Sequence, residues 1–292
     1  MILGGLGLEG NVAEFDRIAP VYDETRGSLS PVALEALRST LTQAAATTVL
    51  EVGVGTGRVS IPLQHLGWVV TGADLSSGML RRARGKGLQR LVRANAEHLP
   101  FADGTFDCAI LAHVLHVFDD PSAALRETAR VTRGRILALL RSSSGSTRNN
   151  ERRRQVWALL RELRTQYGLP SAARPRRWWR EAALLRSAPP LEIHELSDSS
   201  PGRSVEDWIS GLEKRAYPGL TDVPDDVLQR IVRELRLRIH DLPAPGPRSE
   251  RLALWRPEQL RELPTLIQGS PTDDGSFSGP TDGHEVGRGY NR

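Results

Sequence analysis

The sequence predicts an α/β fold in which a mostly parallel sheet carries helices on both faces. Three observations predict it. Val49-Leu50-Glu51-Val52 has the apolar character of a strand buried on both faces, and it runs straight into glycines at 53, 55 and 57 and a helix-like segment, 58–66. Strand-like and helix-like segments then alternate to about residue 141, the pattern of parallel strands joined by helical crossovers. The second strand-like run ends on Asp74, which follows Glu51 by 23 residues. In a doubly wound sheet an acid there faces the ribose of a bound nucleotide.

Composition narrows the class. A chain of 292 residues can hold one large domain or a domain with a cap. An apolar fraction of 39% with 25% charged residues suits a soluble globular protein. No apolar run approaches the roughly 20 residues that cross a bilayer, and MILGGLGLEG lacks the basic leader of a secretory signal. The single cysteine, Cys108, excludes internal disulfides and thiolate metal clusters and fits a reducing cytoplasm. No HExxH, Cys/His metal spacing, G-x-S-x-G or P-loop is present, so no metal is expected. The net charge is +4 and the bases are nearly all arginine, Lys86 and Lys214 being the only lysines. That balance by itself does not argue for nucleic acid.

Taken in order, Phe15, Ile18 and Tyr22 have the helical spacing of a leader that packs on the core. Ser30-Pro31 has an N-cap followed by proline at the first helical position, which opens a helix to about Gln43. Strands are expected at Trp68–Asp74, Leu91–Ala94, Cys108–Ala112 and Gly134–Leu140, with helices after Asp74 (capped by Ser76 or Ser77) and from Pro121 to Arg130. Helices at Glu151–Tyr167 and before Ala188 follow, then a strand at Pro190–Leu196 whose residues alternate apolar and polar. Ser204 and the Asp222–Asp225 segment start two more helices, the first running through Lys214 and the second ending near His240. Arg251–Arg256 is the last strand, a short helix follows it, and the Gly/Ser/Pro/Asp/Thr tail from 268 is expected to be disordered. Between Arg148 and Arg186 there are eleven arginines against three glutamates, with Trp157, Trp178 and Trp179 interleaved. This reads either as a patch for phosphate, carboxylate or RNA, or as an ordinary helical surface whose tryptophans enter the core.

Several stretches resemble one family. Gly53-x-Gly55-x-Gly57, with Glu51 two residues before it, resembles motif I of class I S-adenosylmethionine-dependent methyltransferases rather than the G-x-G-x-x-G of dinucleotide enzymes. FDRIAPVYD (15–23) resembles the N-terminal signature of small-molecule methyltransferases, including those of quinone biosynthesis. Asn95-Ala96-Glu97-His98-Leu99-Pro100-Phe101 with Asp103-Gly104-Thr105-Phe106-Asp107 resembles the family's D-A-E-x-L-P-F…D-G-x-F-D block, with asparagine in place of the first aspartate. The resemblance covers about residues 12–141.

It implies a Rossmann-like seven-stranded sheet, mostly parallel with the last strand antiparallel, and a helical lid insertion. The implied organisation is an arm and helix at 1–45, a core at 46–200, a lid at 201–248, the last strand and short helix at 249–267, and the tail at 268–292. The implied cofactor is S-adenosyl-L-methionine, met by Glu51, Gly53, Gly55, Gly57, Asp74, Leu75, Asn95 and Ala96, with Tyr22 and Arg26 from the arm. Arg26 is the candidate for the cofactor's carboxylate, and Leu99 joins Leu75 as an apolar contact for the adenine. An amide at 95 can still offer its carbonyl to the adenine amino group.

His113 and His116 follow the fourth strand at the end where ligands bind, and are the candidate bases. Trp208, Tyr217 and His240 are candidates for the substrate wall. Transfer of a sulfonium methyl is a direct in-line displacement, so the protein's contribution is orientation and exclusion of water, and a base is needed only for an acceptor that holds its proton tightly. The expected partner is a small-molecule acceptor, with an anionic one as an option. The alternatives are a methyltransferase acting on RNA or protein through the arginine-rich run, and a cofactor-binding protein without catalysis. A nicotinamide dehydrogenase is disfavoured by the glycine spacing.

Overall fold

The computed structural model describes residues 8–118, 120–141, 147–169, 179–201, 204–217, 220, 223–239 and 247–265. Trp178, Asp222, His240 and the tail from 268 lie outside these residues, as do the side chains of Trp157 and Trp179 and most of the arginine-rich run. The chain begins with α1 (Leu8–Ile18), two short 3₁₀ turns (Ala19–Val21 and Asp23–Thr25) and α2 (Pro31–Gln43). Then come β1 (Thr48–Val52), α3 (Ser60–His65), β2 (Val69–Asp74), α4 (Ser77–Gly85), β3 (Arg90–Arg93), β4 (Phe106–Ala112), α5 (Pro121–Val131) and β5 (Thr132–Arg141). After them follow α6 (Thr147–Gln166), α7 (Trp179–Ser187), β6 (Glu192–Pro201), α8 (Val205–Glu213), α9 (Asp225–Arg238), β7 (Pro247–Trp255) and α10 (Glu258–Arg261).

The strands form one sheet in the order β3-β2-β1-β4-β5-β7-β6. The first five run parallel, and β7 lies antiparallel between β5 and β6, as the sequence leads one to expect. Strand alternation sorts the core into two layers. Leu50, Val52, Ala109, Leu111, Ile136 and Ala138 pack on one face with Leu125 of α5 and Trp255. Val49, Cys108, Ile110, Leu137 and Leu139 pack on the other with Leu37 of α2 and Leu63 of α3. Continuous apolar runs are required here because both faces are covered. Local signals set the helix starts: Ser30 accepts from Ala33 N at 3.1 Å with Pro31 at the first position, and Ser76 accepts from Met79 N at 3.1 Å.

The helical layer differs from the expected lid. Two helices were expected after residue 201, but α6 joins α8 and α9: Val156, Leu160 and Leu163 share a cluster with Ile209, Leu212, Ile231 and Leu235. An apolar stripe at 156, 160 and 163 must be buried, and α8 and α9 present the matching stripes. Helix α6 therefore packs with the inserted helices, although its place in the chain precedes β6.

One carboxylate ties three strands at the end of the sheet remote from the glycine turn. Asp107 Oδ2 accepts from Thr47 N (2.9 Å), Thr48 N (2.8 Å) and the Thr48 hydroxyl (2.9 Å), while Oδ1 accepts from Arg133 Nε (2.9 Å) and Nη2 (2.5 Å). Burial pushes this carboxyl up, but the backbone amides and Arg133 outweigh it and hold it well below the usual range. A lowered value means stability that is present above the unfolded pKa, about 3.9, and lost as pH falls through the folded one. Asp107→Ala should lower unfolding stability by about 2–3 kcal/mol at pH 7, by denaturant titration. The loss should shrink below about pH 4, and a constant loss down to pH 3 would contradict this account.

Candidate functional site

The glycine turn lies at the carboxyl ends of β1 and β2. Gly53, Gly55 and Gly57 have φ of +74°, +54° and +83°, a region that costs any residue with a Cβ. At Gly53 the need is also steric, since a Cβ there would lie 2.4 Å from Val114 Cγ2. Gly53 N and Val54 N both donate to Ala73 O, at 2.8 and 3.0 Å, so the end of β2 holds the turn that follows β1. Asp74 completes the join: Oδ2 accepts from Gly55 N at 2.8 Å and Oδ1 from Ser76 N at 2.9 Å. Burial raises the Asp74 carboxyl, and these amides offset only part of that. The Leu75 amide adds to them, and the carboxylate, with about four acceptor positions, is still not saturated.

A cleft of about 910 Å³, its mouth included, opens over this turn. Its wall brings together Gly53, Gly55, Asp74, Leu75, Asn95, Ala96, Tyr22 and His113, all candidates from the sequence. Other candidates fall outside the wall. Glu51 is buried behind the turn, where the Ser60 hydroxyl donates to it. Gly57 N donates to Val54 O at 2.9 Å, closing the turn that leads into α3. Leu99 is buried in the core beside Phe106, and so is removed from the cleft. Arg26 stands behind Tyr22, its guanidinium carbon 4.9 Å from the ring centroid, and its Nε is buried without a hydrogen bond. His116 is half-buried and off the wall. Trp208 and Tyr217 pack in the helical layer, and Tyr217 lies against Gly211. The Asn95 carbonyl is directed into its own loop, where it accepts from Glu97 N at 3.0 Å.

The cleft also takes residues the sequence reading did not assign to it: Val12, Met79, Glu97, Val114, Val117 and Phe118. The apolar run after β4 was a signal for the last three. The arm that supplies Val12, Phe15 and Tyr22 is fastened at the site itself. Asp16 Oδ1 accepts from the Ser76 hydroxyl and from Gly78 N, both at 2.6 Å. Asp23 accepts from the Thr56 hydroxyl and pairs with Lys86 at 3.0 Å.

His113 has φ of +54°, a strained conformation for a residue with a Cβ, and its N–H donates to Leu139 O at 2.9 Å. Its Nε2 lies 3.1 Å from Glu250 Oε1 on β7. Among the described residues no group of three His, Cys, Asp or Glu could hold a metal ion, and no helix is long and apolar enough to cross a membrane.

Glu51 is pushed up to about 7, chiefly by burial, against the opposing effects of Ser60 and Arg58. A carboxyl raised from 4.5 penalises the folded state once ionised, so stability is full below about pH 4.5 and falls as pH rises to about 7. Glu51→Gln should remove this fall, which amounts to about 3 kcal/mol at most. Unfolding midpoints at pH 5 and pH 8 should differ less in the variant than in the wild type. An equal difference would show that Glu51 does not titrate in this window.

Residues 50–137 match the family model described as a methyltransferase domain. Demethylmenaquinone methyltransferase of Corynebacterium kroppenstedtii is 36% identical over 123 residues, which is 41% of this chain and 53% of that protein. Phosphatidylethanolamine N-methyltransferase of Cereibacter sphaeroides is 44% identical over 92 residues, 29% of this chain and 45% of that one. The chain spans about half the length of the curated relatives it matches. The structure of a candidate methyltransferase from an antibiotic biosynthesis pathway of Anabaena variabilis superposes with a TM-score of 0.52 at 15% identity, over 75% of this chain and 96% of that one. That likeness shows the shared fold. Residues 50–137 are thus similar to a methyltransferase domain.

Proposed function

We propose that this protein is an S-adenosylmethionine-dependent methyltransferase that acts on a small molecule with an apolar body. The observation that carries the reading is Asp74: a desolvated carboxylate on the cleft wall, tied to the glycine turn, whose amide partners offset only part of its burial. A ribose offers two hydroxyl donors to such a group. Leu75 and Ala96 would flank the adenine. Asn95, whose carbonyl already serves Glu97 N, would present its NH₂ as a donor to a ring nitrogen. Gly55, where a Cβ would meet nothing within 4 Å, leaves room for the methionine portion, and the buried Arg26 Nε is a donor in want of an oxyanion. The residues present fit the cofactor.

When bound, the cofactor supplies an electrophilic methyl group on a sulfonium with a neutral leaving group. The chain's own residues bind, orient and exclude water. Val12, Phe15, Val114, Val117 and Phe118 give the cleft an apolar wall that favours an apolar acceptor over an anionic one. His113 stands on that wall and would take the acceptor's proton where the acceptor carries one. The buried single cysteine agrees with work in a reducing cytoplasm.

Asp74→Ala should weaken S-adenosylmethionine binding at least about tenfold by calorimetry, since it removes charge-assisted hydrogen bonds. Thermal unfolding of the variant should remain cooperative. Unchanged affinity would overturn the cofactor assignment. Incubation with methyl-labelled cofactor and a host metabolite extract should label a small molecule. Label recovered only in RNA or protein would overturn the acceptor class.

A further inference from the structure

We infer that Glu97 recognises the base of the cofactor: its carboxylate takes the adenine amino group and, with the Asn95 amide, makes the cleft selective for a 6-amino over a 6-oxo purine. This rests on the cofactor reading above. The cleft wall carries two carboxylates, Asp74 and Glu97, and their circumstances are opposite. Asp74 already accepts from the amides of Gly55 and Ser76. The half-buried Glu97 carboxylate has no hydrogen bond or ion pair with any described residue. Its backbone, by contrast, is fixed. After β3, Ala94 N donates to Asp74 O at 3.0 Å, and the chain then closes a turn in which His98 N donates to Asn95 O at 3.0 Å. Within it, Glu97 N donates to the Asn95 side-chain carbonyl, also at 3.0 Å. Leu99 N is held by Glu127 Oε1 at 2.8 Å, and the Leu99 side chain is in the core. Residue 97 is thus presented to the cleft by a turn anchored on both sides.

The same turn decides which atoms of Asn95 remain for a ligand. Its carbonyl is directed into the loop, so the group it can offer is its NH₂, a donor only. An aspartate there, as in the block this stretch resembles, would be an acceptor, and the asparagine leaves that role unfilled. Other acceptors on this part of the wall are engaged: Leu75 O takes Arg93 Nε at 3.0 Å, and the Ser76 hydroxyl is shared between Asp16 and Met79 N. Glu97 stands in the same turn, and an ionised carboxylate accepts and cannot donate. One turn therefore supplies the cleft with an acceptor and a donor.

Adenine presents the complement on its outer edge, an amino group that donates next to a ring nitrogen that accepts. A 6-oxo purine reverses both positions. Its oxygen would meet the carboxylate and its ring N–H would meet the NH₂, so like groups oppose each other twice. A site built on polar pairs rejects such a ligand more strongly than an apolar pocket rejects a change of shape. Leu75 and Ala96 have apolar side chains, and these cannot make the distinction.

The test is calorimetric titration of the full chain at pH 7 with S-adenosylhomocysteine and with S-inosylhomocysteine, which differ only along this edge of the base and carry the same charge. The wild type should bind the adenosyl ligand at least about tenfold more tightly. Glu97→Gln can turn either a carbonyl or an NH₂ to the base, so its preference should fall at least about threefold, chiefly through tighter binding of the inosyl ligand. Glu97→Ala should weaken binding of the adenosyl ligand at least about fivefold and leave the inosyl ligand no weaker. The ratio is taken within each variant, so a general loss of stability or a long-range charge effect cancels from it. Equal wild-type affinities overturn the inference and leave the cofactor reading standing. A preference that survives undiminished in both variants does the same. A wild type that binds neither ligand overturns the cofactor reading and the inference with it.

Discussion

The ligand end of the sheet depends on the Asp74 carboxylate. It stands at the end of β2 and accepts one amide from the turn after β1 and one from the start of α4. Together with Ala73 O, which takes two further amides from the turn, it determines where Gly53 and Gly55 lie. The positive φ values at these glycines make the turn possible, but the hydrogen bonds select it. The arrangement has an electrostatic cost: burial raises the carboxyl, and three amides, of Ser76, Gly55 and Leu75, only partly offset it. A group left in that condition is a binding site in waiting, because any ligand that brings hydroxyl donors relieves the remaining desolvation.

The same device fastens the arm. Burial would raise Asp16, but the Ser76 hydroxyl and the Gly78 amide outweigh it and hold the carboxyl below its ordinary value. Gly78 is needed for this approach, since a Cβ there would come within 2.9 Å of Asp16 O. The chain's two lysines complete the attachment. Lys86 pairs with Asp23, and Lys214 links the helical layer to Glu24. Exposed pairs of this kind contribute little each, about 0–1 kcal/mol. The arm's position thus comes mainly from Asp16 and from Ile18 packed on Met79.

Much of this was legible in the sequence, for physical reasons that differ by element. Strands such as Val49–Val52 and Cys108–Ala112 are apolar without interruption because both faces are buried, and their order follows from alternation. Ser30 and Ser76 announced their helices because a cap is a local interaction. Asp74 was legible because its distance from the glycines is set by one crossover. Glu51 and Leu99 belong to the motifs but do not line the cleft: motif membership gives proximity, while the direction of each side chain depends on strand pleat and loop path. Helix α6 joined the inserted helices because its stripe is complementary to theirs, a fact of tertiary packing. Glu250 had no signal at all. It approaches His113 only because β7 reverses direction between β5 and β6.

In the proposed reading, cofactor site and acceptor site are mechanically one object. Val114 Cγ2 occupies the space where a side chain at 53 would begin, so the loop after β4 rests directly on the glycine turn. That loop carries His113, Val117 and Phe118, and the arm brings Phe15 and Tyr22 to the same cleft, the two rings in edge contact at 6.4 Å. Methyl transfer requires a dry, aligned approach, and here the apolar wall that excludes water is built from the segments that bear on the cofactor side. A displacement of the glycine turn by half an ångström would therefore move Val114, and with it His113 at a backbone conformation that has little freedom to compensate. On that reading, a change in the loop after β4 would draw a response at the glycine turn. Variation is least constrained on the arm, where α1 meets the sheet through α4 and a few polar contacts rather than through the core.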